Sequence, residues 1–213
     1  MGRLYPRMRE RPPEFRINKD NPLYTGLLFC TLQRGSNDNY AFDEGPFGLH
    51  ARRDYFYYGP YHRWDAQLSR HVLSFENPGC STFAGYITAP LFGNYSEFAY
   101  VAWIYPLSGM TDYANVLNVS DRNGFQIYPA PTTFRYALVA GDRVYDVATS
   151  ITLEQWQHVV GQSCPAGLEI YRNSQLMNYR VATATSNVQD VPLRIGFHSL
   201  AGSGTWKGKI ADC

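Results

Sequence analysis

From Leu23 onward the chain is patterned in short bursts. Apolar or alternating segments recur at about 26–33, 46–52, 71–76, 84–89, 97–105, 113–119, 124–129, 133–140, 143–148, 156–162, 167–172, 175–183, 192–198 and 205–211, separated by Gly, Pro, Asn and Ser. Side chains that alternate with a period of two predict strands, and only an all-β domain has this texture. Trp156-Gln157-His158-Val159-Val160 reads as a half-buried strand. Gly167-Leu168-Glu169-Ile170-Tyr171 reads as another before the turn residues Arg172-Asn173-Ser174, so a hairpin is predicted. Phe134 to Leu138 and Val144 to Ala148 flank Gly141-Asp142, which predicts a second hairpin. Segment 97–105 is apolar on both sides, Phe98, Tyr100, Ala102 and Ile104 against Ala99, Val101, Trp103 and Tyr105. It is expected at the centre of its sheet with both faces covered. Two antiparallel sheets packed face to face follow. The one helical signal is the capping-box spacing Thr152-Leu153-Glu154-Gln155, enough for a single turn.

Pro6, Pro12 and Pro13 stand among arginines in the first twenty residues, a composition that sustains neither helix nor central strand. The expected organisation is an extended arm over 1–20 and one domain over 21–213. A chain of 213 residues, 45% hydrophobic, can bury one full core. No repeat of fixed period is present.

A net charge of +1 gives no overall field toward nucleic acid or an anionic membrane. The arm carries six Lys or Arg and three acids; the other residues carry thirteen and fifteen, so the basic excess belongs to the arm. No apolar run approaches the ~20 residues of a membrane helix. The N-terminus also lacks the apolar core of a secretory signal, so synthesis in a cytoplasm is expected. Cysteines 30, 80, 164 and 213 have no Cys-x-x-Cys pairing and are expected reduced and packed. The sequons at Asn94 and Asn118 mean little without a secretory route.

Several segments, in order, resemble a laminin-G-like jelly roll of the concanavalin A-like lectin and glucanase superfamily. They are Asn21-Pro22-Leu23 with Gly26-Leu27; Asp43, Gly45, Gly48 and His50; Val72-Leu73-Ser74-Phe75; and Glu97-Phe98 with Ala102-Trp103-Ile104. Trp156, His158-Val159, Tyr171, Asn173, Leu193, Ile195-Gly196 and Gly208-Lys209-Ile210-Ala211-Asp212 complete them. Departures are Ala51 where a glycine is usual, Glu76-Asn77 in place of Asp-Gly, and a stop at Cys213 where relatives continue; either the last strand is short or the sequence is a fragment. The resemblance implies an all-β, two-sheet antiparallel jelly-roll sandwich whose first and last strands are neighbours. That brings Cys30 and Cys213 within reach of each other. A disulfide needs Cα atoms within about 7 Å and is not expected in a reducing compartment.

Glycan-cleaving members place two carboxylates ~5–5.5 Å apart, and no such cluster is present. Asp43-Glu44, Asp142 with Asp146, and Glu154 sit singly, explained by surface solvation. His50, His62, His71, His158 and His198 are scattered without a nucleophile elbow, and His50 and His158 read as structural. No catalytic residue is expected. The resemblance allows calcium at Glu76 and Asp212, but two carboxylates make a poor site for a cation that takes six to eight oxygens; no cofactor and no metal is the expectation. Residues 54–64 hold six aromatics without strand alternation, which predicts a loop. Its Tyr55, Tyr57, Tyr58, Tyr61 and Trp64 either contact a partner or cover the end of the sandwich.

Relatives with this leader look like phage structural proteins. The expected function is therefore a non-catalytic virion surface protein, a capsid decoration or head-fibre component, anchored through arm residues Arg3, Arg7, Arg9, Arg11 and Arg16. Its partners would be capsid or other virion proteins, with host glycans as further candidates, in a homo-oligomer or larger assembly. The alternative is a free carbohydrate-binding lectin, with or without calcium.

Overall fold

The computed structural model describes Asp20, Cys30 and residues 40–41, 45–54, 60–75, 85–91, 97–110, 112–119, 123–128, 132–140, 143–182, 191–196 and 206–213. The arm, Asp20 excepted, and the segment expected as the opening strand, Cys30 excepted, lie outside them. The described residues form fifteen strands and no helix. These are β1 (Tyr40–Ala41), β2 (Ala51–Asp54), β3 (Tyr61–Asp65), β4 (Arg70–Ser74), β5 (Gly85–Leu91), β6 (Phe98–Pro106), β7 (Ala114–Val119) and β8 (Asn123–Ile127). They continue as β9 (Thr133–Ala140), β10 (Arg143–Ser150), β11 (Gln157–Cys164), β12 (Gly167–Arg172), β13 (Gln175–Arg180), β14 (Val191–Ile195) and β15 (Gly208–Ala211).

Eight strands make one sheet in the order β1-β2-β5-β14-β7-β8-β9-β10. The other seven are ordered β13-β12-β11-β6-β15-β4-β3. The two sheets meet through an aromatic layer. Tyr100 of β6 packs across the gap on Phe125 of β8 and Tyr136 of β9, with ring centroids 5.9 and 6.0 Å apart, and Phe134 adds to the stack at 5.1 Å from Phe125. Gly161 of β11 makes room for it: a Cβ there would meet ring carbons of Tyr136 and Phe125 at 2.5 and 2.6 Å. The architecture is the expected all-β sandwich.

Both predicted hairpins form. β9 and β10 pair from Ala140↔Arg143 to Thr133↔Ser150, and Gly141-Asp142 between them lie outside the described residues. β12 and β13 are joined through Asn173 and Ser174, with φ of 50° and 67°. Two consecutive left-handed residues give the turn whose twist matches the strands it joins.

Three expectations are corrected. β6 is central in its sheet, but only one face is fully covered: on the other, Ala99 is exposed and Val101 is 42% exposed, while Trp103 and Tyr105 are half-buried. An antiparallel sheet needs one buried face, and apolar side chains on the other are tolerated. The predicted loop at 54–64 begins as the end of β2 and finishes in β3, whose pairing runs from Tyr61↔Ser74 to Asp65↔Arg70. Finally, 152–155 is a turn, not a helical one. Glu154 has φ 59°, and the Gln157 amide clamps the loop, accepting from Thr152 N (3.0 Å) and donating to Thr152 O (2.7 Å).

Candidate functional site

Among the residues singled out by sequence, Tyr55, Tyr57, Tyr58, Glu76 and the arm arginines Arg3, Arg7, Arg9, Arg11 and Arg16 lie outside the described residues. Tyr61 and Trp64 sit on β3, an edge strand, with Trp64 57% exposed and its ring edge-on to His71 at 5.5 Å. Arg63 lies over the Tyr61 ring at 4.9 Å. Asp212 forms an ion pair with Arg70. His158 packs on Trp103 (5.2 Å) in a structural role, and its burial lowers its pKa. His50 is exposed. Burial raises the Cys213 thiol, with a smaller push from Cys30. Cys164 and Cys213 form no disulfide.

A different constellation stands on the outward face of the eight-stranded sheet. Strand alternation sends Phe125, Phe134 and Tyr136 into the core and Gln126, Arg135 and Ala137 outward. Yet β7 and β8 are buried along their whole length, so outward-facing Asn115, Asn118 and Gln126 are closed off from solvent. Asn115 and Gln126 are direct cross-strand partners, and Gln126 is in turn opposite Arg135. Arg135 donates to Gln126 Oε1 through Nη2 (2.7 Å) and Nε (3.2 Å), and to Asp146 Oδ2 through Nη1 (3.4 Å). Asn115 Nδ2 donates to Tyr113 O at 2.7 Å.

These bonds fix both amide orientations. A guanidinium offers only donors and a carbonyl only acceptance, so neither amide can be flipped without loss. What remains is Asn115 Oδ1 as an acceptor and Gln126 Nε2 as a donor, each buried and without a hydrogen bond. Leaving such a group unmet costs about 1–3 kcal/mol. Beside the pair, Tyr113 and Tyr128 stack at 4.7 Å and 21°, exposed at 39% and 37%, with the Arg135 guanidinium 4.5 Å from the Tyr128 ring centre. A hydrogen bond to Tyr113 raises the Tyr128 phenol above its ordinary value. Asp146, expected as a solvated surface acid, is instead held between Arg135 and Arg180 (3.4 and 3.2 Å). Sequence reading missed this site because its polar residues are scattered over β7 to β10 and only register assembles them. The available signal was Asn115, Asn118 and Gln126 within otherwise apolar strands.

Asp65 is the other ionised centre. Burial pushes its carboxyl up, but bonds from Leu68 N (3.1 Å), Lys209 Nζ (3.1 Å) and Gln67 N (3.0 Å) outweigh that and hold it below the usual value. Among the described residues no group of three His, Cys, Asp or Glu is placed to hold a metal ion.

A family model described as concanavalin A-like lectin/glucanases superfamily, of laminin G type, matches residues 82–213. The chain belongs to that superfamily. The lectin/glucanase fold extends to solved structures of low identity. Trypanosoma rangeli sialidase in complex with sialic acid matches over 88% of this chain and 30% of its own, at 15% identity and TM-score 0.59. The same sialidase with the inhibitor DANA gives 16% and 0.55 over the same shares. Domain 4 of AbnA, a GH43 extracellular arabinanase from Geobacillus stearothermophilus, in complex with arabinotriose, matches over 89% of this chain and 86% of its own, at 13% and 0.50. This lectin/glucanase-type chain thus spans about 30% of the length of the sialidase chains it matches. No curated protein matches it.

Proposed function

We propose that the chain is a non-catalytic glycan-binding module whose site is the exposed Tyr113–Tyr128 stack at the ends of β7 and β8. The observation that carries this reading is the exposed Tyr113–Tyr128 stack with the Arg135 guanidinium over the Tyr128 ring. The tyrosine rings offer an amphipathic surface for a sugar face. Arabinotriose in the structure of AbnA domain 4 is in keeping with a saccharide ligand. Binding would be independent of metal, because the described calcium candidate, Asp212, is engaged by Arg70.

Titration of a glycan array hit against Tyr128→Ala should show roughly ten-fold weaker binding, about 1.4 kcal/mol, at unchanged melting temperature. Absence of any glycan ligand, or full affinity in this variant, would sink the site. EDTA should leave affinity and melting temperature unaltered; a loss would show that Asp212 exchanges Arg70 for a cation.

The finer reading, a phage virion surface protein, rests on the basic, proline-rich composition of residues 1–20. In that reading the module faces outward and the arm orders against an assembly. Deletion of residues 1–20 should then give a folded, glycan-binding protein that no longer joins particles.

A further inference from the structure

We infer that the outward face of the seven-stranded sheet is the interface of a two-fold dimer, its occupant a second copy of this chain. The inference is independent of the glycan-binding reading, whose tyrosine stack flanks β7 and β8 of the other sheet. Leu168 and Ile170 of β12, and Tyr100 and Ala102 of β6, are buried in the core, so alternation turns the residues between them outward. Register arranges the outward side chains in rows across β13, β12, β11 and β6. One row is Tyr179–Glu169–Gln162–Ala99, the next is Leu176–Tyr171–Val160–Val101, and at the following level His158 is opposite Trp103.

These rows are mostly apolar or aromatic, and they are open. Leu176 is 53% and Tyr179 50% exposed, Val101 and Ala99 are exposed at the other side, and the residues between them are half-buried. At ~150–250 Å² per aromatic side chain, the accessible part, with the adjoining Tyr105–Trp156 pair, is roughly 600 Å². That is at the upper end of what a monomer leaves open, and it approaches the ~800 Å² that each partner gives to a standard interface.

Relief and charge select a second copy as the occupant. The β13 side is tall, with Leu176 and Tyr179, and the β6 side is shallow, with Val101 and Ala99, three strand spacings or about 14 Å away. A two-fold axis lying in the interface along the strands, midway between β12 and β11, exchanges β13 with β6 and keeps each row at its level. Leu176 then stands over the partner's Val101, and Tyr179 over the partner's Ala99. Such a contact is isologous and closes at two copies. Glu169, the one ionised side chain in the two rows, comes over the partner's Gln162 and not over its own equivalent. Its carboxylate already accepts from Gln162 Nε2 and from the Tyr171 hydroxyl (2.7 Å), so closing the interface leaves no bare charge without hydrogen bonds.

Sedimentation of the full chain from about 1 to about 500 μM should show a monomer–dimer equilibrium in the micromolar range. Val101→Asp, at an exposed position, should weaken association about ten-fold or more and leave the melting temperature of the dilute protein unchanged. Ala99→Tyr should weaken it too, by setting tyrosine on tyrosine. The double variant Ala99→Tyr with Tyr179→Ala exchanges the tall and shallow sides and should recover association. A chain that stays monomeric throughout would overturn the inference, as would a dimer that persists in folded Val101→Asp. A double variant no better associated than Ala99→Tyr alone would overturn the two-fold arrangement. A monomeric chain whose glycan-array binding is lost in Val101→Asp would give the face to a saccharide in place of a second copy.

Discussion

Tyr136 shows how a single residue divides between packing and polarity. Its ring belongs to the aromatic layer between the sheets, and its hydroxyl is buried without a hydrogen bond. Burial raises the phenol well above its ordinary value, so the group stays neutral and its cost is that of an unmet hydroxyl. Tyr136→Phe keeps the ring and removes that cost, about 1–3 kcal/mol at most. Chemical denaturation should show equal or greater stability; a clear loss would mean that the hydroxyl has a partner in solution. Gly161 works the other way. Its missing side chain is the space that the Tyr136 and Phe125 rings use.

The Asn173-Ser174 hairpin is an element whose sequence is close to its best form but not at it. Both residues are left-handed, and Asn173 tolerates this while closing onto β11: it donates N–H to His158 O (2.8 Å) and accepts from His158 N through Oδ1 (2.9 Å). Ser174 has no such advantage. Replacing it with glycine should stabilise the domain by roughly 0.5 kcal/mol, since relief of the left-handed penalty exceeds the chain entropy that glycine adds; a lower melting temperature would contradict the turn geometry. This hairpin was readable in the sequence because its signals are local. So were β9–β10 and the central position of β6. What was not readable depends on non-local facts. β3 looks like a loop because its aromatic residues do not alternate, and it becomes a strand through pairing with β4. The buried polar cluster was hidden for the same reason: Asn115, Gln126 and Arg135 are neighbours in register, not in sequence.

For the whole molecule, two acid-sensitive points set the pH response. His158 has a pKa below its ordinary 6.5, so the unfolded chain takes up this proton first. Stability is full above about pH 6.5 and declines as pH falls toward the folded value. Asp65 has a folded pKa below 3.8, so its contribution holds above that value and is lost as pH falls through the folded one. Urea midpoints from pH 7.5 to 3 should therefore decline in two stages. Asp65→Asn should flatten the lower stage and His158→Asn the upper; unchanged profiles would mean that other groups govern acid stability.

One placement also governs time. β15 sits between β6 and β4, although its residues, 208–211, follow every other described strand. Until they leave the ribosome, the β3–β4 hairpin has no edge of β6 to join, and Leu73 has no Ile210 to pair with. The seven-stranded sheet exists as two separate pieces throughout synthesis of the preceding residues, with apolar edges open to other chains. A single late segment of four residues acts as the keystone that closes it.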